Sequence, residues 1–544
     1  MSGDVHPNPG PVSTRSNSAS SVSSSSTVET IDLSSHFSFM HYNVQSIKHK
    51  LETLYAEFKD FDILSFSETW LNASTLNNDL IFDGFHDPER KDRPANSHGG
   101  VLLYVKEQFR YKRRHDLEIQ SVECIWIELI TKTKRILFGT FYRPPNTTAP
   151  EHSLIEDCIH LAVDTGIPDI IVTGDFNINM QNPDVSRKIS SLCQRLSLTQ
   201  CISDPTHFTE NSSSLIDIIL TSNHRLIHAS GVGVPCLDQQ VRFHCPIFGL
   251  INFKKSKIHT FKRHIWLFDK GNYQLLREKA ANINWHQLKH TNINTYTKNI
   301  TDTILSISKS CIPNKDVTIR PSDPPWFPPN LKKMIRQRRR YYKKAQHTNT
   351  EHDWLKFRTL RNKIITTIRQ SKEKNIHQLA TNLKTIQQNS KSWWACLKSF
   401  IKPASSSSSS IPPLQDGDDI AEDDQMKADI LNDYFRDQTL LSEPENIAPE
   451  LKGDISPLST MPPIQVYPDE VMTVLKTLPL GKAAGPDGIN NRILKELCNE
   501  LSTPLADLFN KSLTSSEYPD TWKEAFVTPI FKTGDRSVPE IIVL

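Results

Sequence analysis

Residues 36–252 are built from short runs with β-type alternation, and the rest of the chain is mostly long polar runs with helical spacing. FSFMHYNV (Phe37–Val44) alternates apolar residues and leads to Asn43; DILSFSETWL gives a strand at Ile63–Phe66 that runs out at Glu68. Further strands are predicted at Gly99–Val105, Cys124–Ile130, Ile136–Tyr142, Ile170–Thr173, Leu215–Leu220 and Cys245–Phe253. Helical spacing falls between them at Ile47–Phe61, Ser153–Thr165 and Val185–Leu196. Many strands and few helices predict two packed sheets with helices outside, and about 215 residues suffice for one such core. From Lys254 the strand pattern is expected to stop, giving way to polar helices broken by RPSDPPWFPP (Arg320–Pro329).

The densest chemistry lies in IIVTGDFNIN (Ile170–Asn179). A β-branched run enters Gly174, and Asp175 and Asn177 follow two residues apart, on one face if the segment stays extended. Such a pair can hold a metal-bound water, a phosphate oxygen or a nucleophile; a turn with a polar cap is the plain alternative. Asn43, Glu68, Tyr142, Asp217 and His244 also fall at or near predicted strand ends. Oxygen donors of this kind suit a hard cation such as Mg²⁺, and a His beside a carboxylate can move a proton near neutral pH. Taken singly, Asn43 reads equally as a turn former, Glu68 as a helix cap, Asp217 as a surface acid and His244 as a core imidazole.

Composition narrows the setting. The 544 residues carry 64 Lys+Arg against 61 Asp+Glu, so total charge identifies no partner, but its distribution does. Residues 331–374 hold 15 Lys+Arg against 3 Asp+Glu, a net of +12, with Tyr341, Tyr342, Trp354 and Phe357 interleaved. That combination suits a nucleic-acid backbone with base stacking, through Arg336, Arg338, Arg339, Arg340, Lys343 and Lys344. A solvated helix face is the alternative, and RQRRRYYKK (Arg336–Lys344) also has the composition of a nuclear-import signal. Nine scattered cysteines without a CxxC pair read as reduced structural thiols of an intracellular protein. No apolar run reaches the roughly 18 residues of a membrane span, and no secretory core precedes residue 36.

The ordered set NVQSI at Asn43, SETWL at Glu68, HGGVLLYV (His98–Val105), FYRPPN at Tyr142, GDFN at Asp175 and SSLIDIIL at Asp217 resembles the endonuclease–exonuclease–phosphatase family. It is most similar to the endonuclease domain of non-LTR retrotransposons of the jockey and CR1 kind. The resemblance implies an α/β fold, a four-layer α/β sandwich over 36–252, and hydrolysis of a phosphodiester with Mg²⁺, or Mn²⁺ in its place. It implies that Glu68, with Asn43, holds the metal, Asp175 activates water and Asn177 holds the phosphate. Tyr142 with Asn43 would set up the site, Asp217 would support metal or leaving-group chemistry, and His244 would contact the scissile phosphate. The family pattern has Asp immediately before the final His. Here that residue is Phe243, and Asp238 is the nearest upstream acid for an orienting role.

LPLGKAAGPDGINNRILKEL (Leu478–Leu497) and YPDTWKEAFVTPIFKTGD (Tyr518–Asp535) resemble the start of a retrotransposon reverse transcriptase, with Lys532 near nucleotide or template. No palm carboxylates follow before Leu544, so polymerisation by this chain alone is not expected. GDVHPNPGP (Gly3–Pro11) resembles the end of ribosome-skipping peptides, with His6 in place of their acidic residue; a Pro/Gly-rich tail is the plain alternative.

The expected organisation is a disordered Ser-rich tail (1–35), the endonuclease domain (36–252), a helical basic connector (253–404), a linker with an acidic patch (405–460) and a reverse-transcriptase fingers fragment (461–544). The expected partners are target DNA and, in a full-length relative, element RNA, with no membrane; function places the protein in the nucleus for cutting and the cytoplasm for synthesis. Two other readings are a decayed nucleic-acid-binding remnant and another phosphodiesterase or phosphatase of the same fold.

Overall fold

The computed structural model describes residues 33, 35–93, 98–131, 134–237, 242–255, 261–319, 323–401, 411–416, 419–440, 463–531, 538–539 and 542–543. Asp238, Lys532 and the Ser-rich stretch before residue 33 lie outside them. Contacts divide the chain into two units, one of residues 1–258, 322–436 and 535–539, the other of 259–321, 437–534 and 540–544. The stretch expected to run as one connector, 253–404, is thus shared between the two.

The strands of the first unit are β1 His36–Asn43, β2 Ile63–Ser67, β3 Glu89–Lys91, β4 Val101–Val105, β5 Arg110–Arg113, β6 Glu123–Ile130, β7 Arg135–Tyr142, β8 Asp169–Asp175, β9 Thr199–Gln200, β10 His207–Phe208, β11 Ser213–Ser214, β12 Asp217–Thr221, β13 Ile227–Val232, β14 Phe243–His244 and β15 Ile247–Lys254. They form two six-stranded sheets, β13-β15-β1-β2-β4-β3 and β5-β6-β7-β8-β12-β9, and a small sheet β11-β10-β14. Among the described residues the α-helices are α1 Leu51–Phe58, α2 Ala149–Asp164, α3 Pro183–Arg195, α4 Tyr273–Ala281, α5 Ile293–Cys311, α6 Leu331–Thr348, α7 Glu351–Thr385, α8 Lys391–Ile401, α9 Asp424–Thr439, α10 Pro468–Thr477, α11 Asn491–Glu496 and α12 Cys498–Ser515.

Alternation along each strand makes the layers. In β1, Phe37 and Phe39 enter the core between the sheets, and Met40 and Tyr42 face α1 on the other side. In β6, Ile125, Ile127 and Leu129 face the same inter-sheet core, and Cys124 and Trp126 pack under α2 and α3. The result is helix, sheet, sheet, helix: the four-layer α/β sandwich. Both faces of the central strands are buried, which is why their sequences are almost wholly apolar. Thr148 caps α2 reciprocally with Glu151, and Pro150 near the helix start has no N–H to leave unmade.

Helices α6 and α7 belong to this unit. Their buried positions run Leu331, Ile335, Arg338, Tyr342, Ala345 and Trp354, Phe357, Arg361, Ile364, Ile368. Steps of three and four residues make a stripe on each helix, the seam of a helical hairpin. One end of the seam packs with Ala56 of α1 and the other with Val234.

In the second unit α4, α5, α10, α11 and α12 share a core that includes Leu276, Ile300, Ile304, Leu475, Ile493 and Leu501. Two antiparallel strands, β16 Phe261–Trp266 and β17 Asn314–Ile319, flank it, with Phe261 opposite Ile319. The expectation that strands stop at Lys254 is corrected here. Charged residues occupy much of both strands, which masks the alternation that a half-buried ribbon would show. All nine cysteines are free, and no helix among the described residues is long and apolar enough to cross a membrane.

Candidate active site

Register brings the chemistry together. Tyr142 pairs with Asp175 across β7 and β8, and Asp175 with Asp217 across β8 and β12, so three polar side chains end one row of one sheet. Asn43 pairs with Ser67 across β1 and β2 in the other sheet, and Glu68 follows Ser67. His207 of β10 pairs with His244 of β14 in the small sheet.

Local backbone holds these ends. Glu68 and Trp70 have φ of 50° and 54°, in the left-handed region that non-Gly residues seldom occupy. Backbone bonds from Thr69 N to Gly100 O (3.3 Å) and Trp70 N to Gly99 O (2.9 Å) hold them there. Gly100 (φ 86°) is required by that approach: a Cβ would lie 2.8 Å from Thr69 Oγ1. At Gly174 a Cβ would lie 2.1 Å from Phe141 O, so β7 and β8 can pair at Asp175 only with glycine before it.

The side chains form one network. Asn43 Nδ2 donates to Glu68 Oε1 and to Asp175 Oδ2, both at 2.8 Å, and so links the two sheets. Tyr142 Oη donates to Glu68 Oε1 (3.2 Å), and Trp70 Nε1 to Glu68 Oε2 (3.3 Å). Asn177 N donates to Asp175 Oδ1 (2.9 Å), and its Nδ2 donates to Arg143 O (2.8 Å). His244 Nδ1 pairs with Asp217 Oδ2 at 2.9 Å, and its Nε2 stands 4.0 Å from Asp175 Oδ2.

All seven candidates from Asn43 to His244 therefore converge. Two individual expectations change, and the departure at Phe243 gains an explanation. The orienting contact on His244 comes from Asp217, because strand pairing places that carboxylate against Nδ1; Asp238 is outside the described residues. Asn177 spends its amide protons on Arg143 O and Asp175, so it positions Asp175 in this geometry. Phe243 does not leave a gap where an acid would sit, since its ring stacks on Phe208 at 5.3 Å and pins the β10–β11 hairpin. Trp70 and His207 escaped the sequence reading. His207 lies with its ring 4.7 Å from that of His244, and only strand pairing reveals the contact.

Burial and charge set the protonation states. Asp175 is fully buried beside Asp217, and desolvation together with that like charge lifts its carboxyl to about 7, against the pull of His244. Burial opposes charge on His244, but the Asp217 carboxylate outweighs it and raises the imidazole to about 9. The same pairing holds Asp217 below the ordinary carboxylate range despite its burial. Burial drops His41 and His207 to about 4, so His244 is the one cationic ring in a trio of neighbours.

Asp175, Asp217 and His244 offer ligand atoms within 4.8 Å of one another. With Asp217 committed to His244, the oxygens left for a hard cation are the carboxylates of Asp175 and Glu68 and the side-chain oxygen of Asn43, whose Nδ2 joins those two carboxylates. A concentration of carboxylates that forces one of them up to about 7 is relieved by a cation, so the donor set fits Mg²⁺ or Mn²⁺.

The basic stretch divides by face. Arg336, Arg340 and Lys344 are exposed on α6, while Arg339 and Lys343 are half-buried. Arg338 is 1% exposed and forks onto Glu57 of α1, with Nη1–Oε1 at 2.6 Å and Nη2–Oε2 at 2.9 Å. Its assignment to nucleic acid is corrected: it lies in the hairpin seam as half of a buried ion pair. Tyr342, Trp354 and Phe357 pack against each other in the same seam, which takes them out of base stacking.

The endonuclease/exonuclease/phosphatase family matches residues 40–239. The RNA-directed DNA polymerase from the mobile element jockey of Drosophila melanogaster is 21% identical over 501 residues, 87% of this chain and 52% of its own length. The probable RNA-directed DNA polymerase from transposon BS of the same organism is 21% identical over 513 residues, 91% of this chain and 55% of its own. The chain thus spans about half the length of the curated relatives it matches. Among solved structures, the endonuclease domain of TRAS1, a telomere-specific non-LTR retrotransposon, is 14% identical and covers 40% of this chain and 98% of its own, with a TM-score of 0.33. An AP endonuclease from Archaeoglobus fulgidus is 14% identical over 40% of this chain and 100% of its own, with a TM-score of 0.31.

Proposed function

We propose that this chain, whose residues 40–239 match the endonuclease/exonuclease/phosphatase family and which is similar over most of its length to retrotransposon RNA-directed DNA polymerases, nicks one strand of target DNA by cation-assisted hydrolysis. The observation that carries the reading is the single network joining Glu68, Asn43 and Asp175 to the His244–Asp217 pair. Mg²⁺, or Mn²⁺ in its place, held by Glu68 and Asn43, would neutralise charge building on the phosphate.

The protein groups do the rest. Asp175, ionising near neutrality, takes the proton of the attacking water, and its carboxylate is aimed by the Asn43 amide and by Asn177. His244 stays protonated, held by Asp217, and presents a cationic donor to a phosphoryl oxygen. Tyr142 and Trp70 fix Glu68 from two sides. The freed 3′ end would prime copying of element RNA by the polymerase of a longer relative; that role would put cutting in the nucleus and synthesis of the protein in the cytoplasm.

The test is nicking of supercoiled plasmid by the full chain with Mg²⁺ or EDTA, beside Glu68→Ala and His244→Ala, with abasic DNA and inositol phosphates as competing substrates. Mg²⁺-dependent nicking lost by ~10²-fold or more in both variants is expected. A folded wild-type chain that binds DNA and does not cut would leave the remnant reading, and faster turnover of an inositol phosphate would leave the phosphatase one.

A further inference from the structure

FYRPPN brings more to the site than Tyr142. Arg143 follows the last residue of β7, and the proline after it disfavours a helical turn there. Three parts of this one residue meet the last residue of β8 and the two that follow. Its N–H donates to Asp175 O (2.9 Å), its Nη1 donates to Phe176 O (3.2 Å), and its O accepts from Asn177 Nδ2 (2.8 Å). Nη1 also donates to Pro144 O (3.3 Å) and Nη2 to Thr147 O (3.4 Å), so the guanidinium ties the turn after β8 to the loop before α2.

The charge is placed where stability gains little from it. Arg143 is 6% exposed, and every acceptor that its guanidinium meets among the described residues is a main-chain carbonyl. Its Nε is buried and has no acceptor among them. Carbonyls repay a buried cation less fully than a carboxylate does, and the buried Arg338 has its carboxylate in Glu57. What Arg143 reaches instead is the backbone that aims a catalytic side chain. Asn177 sits in the left-handed region (φ 49°), and its N donates to Asp175 Oδ1 (2.9 Å), so the shape of this turn sets the direction of the Asp175 carboxylate. At its depth the guanidinium is not a contact for DNA phosphates.

We propose that Arg143 is a positioning residue of the nuclease, a buried cation that clamps the turn at Phe176 and thereby aims Asp175 and Asn177. This role rests on the nuclease reading for its kinetic consequence and on hydrogen bonds alone for its structural one.

The experiment compares the full chain with Arg143→Met and Arg143→Lys, rates being taken per folded molecule. Met fills the aliphatic part of the site and donates nothing, whereas Lys keeps a cation for the carbonyls. In Arg143→Met the kcat for nicking is expected to fall ~10-fold with KM for DNA within about twofold, and Arg143→Lys is expected to recover most of the loss. A residue that serves stability alone leaves kcat per folded molecule unchanged, and a phosphate contact moves KM; either pattern would overturn the proposal. Hydrogen exchange of the peptide spanning residues 174–182 is expected to quicken in Arg143→Met and, to a lesser degree, in Arg143→Lys. If Arg143→Met does not fold, exchange in Arg143→Lys decides: a quickened rate supports the clamp and a wild-type rate removes it. Were the wild type unable to nick, the nuclease reading would fall by itself, and the same exchange rates would still decide the clamp.

Discussion

At Asp175 function and stability oppose each other, whereas at His244 they agree. Asp175 ionises near 7 in the folded chain against about 3.8 when exposed, so the native state keeps a proton that the unfolded state has lost across that window. Stability therefore falls as pH rises from about 4 to about 7. Asp175→Asn removes the cost, and in EDTA it is expected to stabilise the fold at pH 8 on the order of 2 kcal/mol and hardly at all at pH 3.5. Chemical denaturation at the two pH values measures this, and equal gains at both would show that burial of the charge is not the cost. His244, raised to about 9, adds stability that is full below 6.5 and fades as pH rises towards 9. Asp217→Asn deletes the charge that raises it. Nicking by that variant should fall ~10²- to 10⁴-fold, with its alkaline limb moved to lower pH; a limb left near 9 would mean that Asp217 does not set the imidazole.

At the scale of elements, period-two alternation made the sandwich strands legible. Both faces of β6 and β7 are buried, and their ends fall within about a residue of the expected ones. The site residues were legible as strand ends, but their partners were not. Asp217 reads as a metal-supporting acid until antiparallel pairing with β8 turns it to His244, and His207 has no signal in the sequence at all. In α6 the charge run obscured the stripe Leu331, Ile335, Arg338, Tyr342, Ala345, because an arginine is not counted as a core residue until Glu57 is seen opposite it. Two predictions belong here. Gly174→Ala puts a methyl into Phe141 backbone and should cost at least about 3 kcal/mol, whereas Gly166→Ala (φ 74°, nothing within 4 Å) should cost about 1. Thermal melts of equal size for the two would refute the close approach of β7 and β8. Arg338→Met alone should destabilise by about 3 kcal/mol by leaving the buried Glu57 only Arg339, at 3.6 Å, and Glu57→Gln with Arg338→Met should recover most of it. A double variant as unstable as the single would show that packing, and not the stranded charge, is what Arg338 supplies.

Over the whole molecule, a net charge of +3 conceals a segment of +12 whose inward residues brace a fold. What remains for nucleic acid is the outward face. Lys333, Arg336 and Arg340 are exposed and stand at i, i+3 and i+7, one stripe of α6 on the side away from the seam. Cations in such a stripe act on phosphates without reading bases, so their contribution is salt-dependent and blind to sequence. Changing all three to Gln should leave the fold and the kcat at saturating DNA as they are. It should weaken duplex binding and flatten the slope of log K against log salt by up to about 0.9 for each residue that meets a phosphate. Fluorescence anisotropy with a labelled duplex over a series of NaCl concentrations gives that slope. A flatter slope with unchanged kcat would separate the two faces of one helix, the outer one holding DNA and the inner one packed into the fold. An unchanged slope would make the outer face a solvated surface and leave α6 only its structural part.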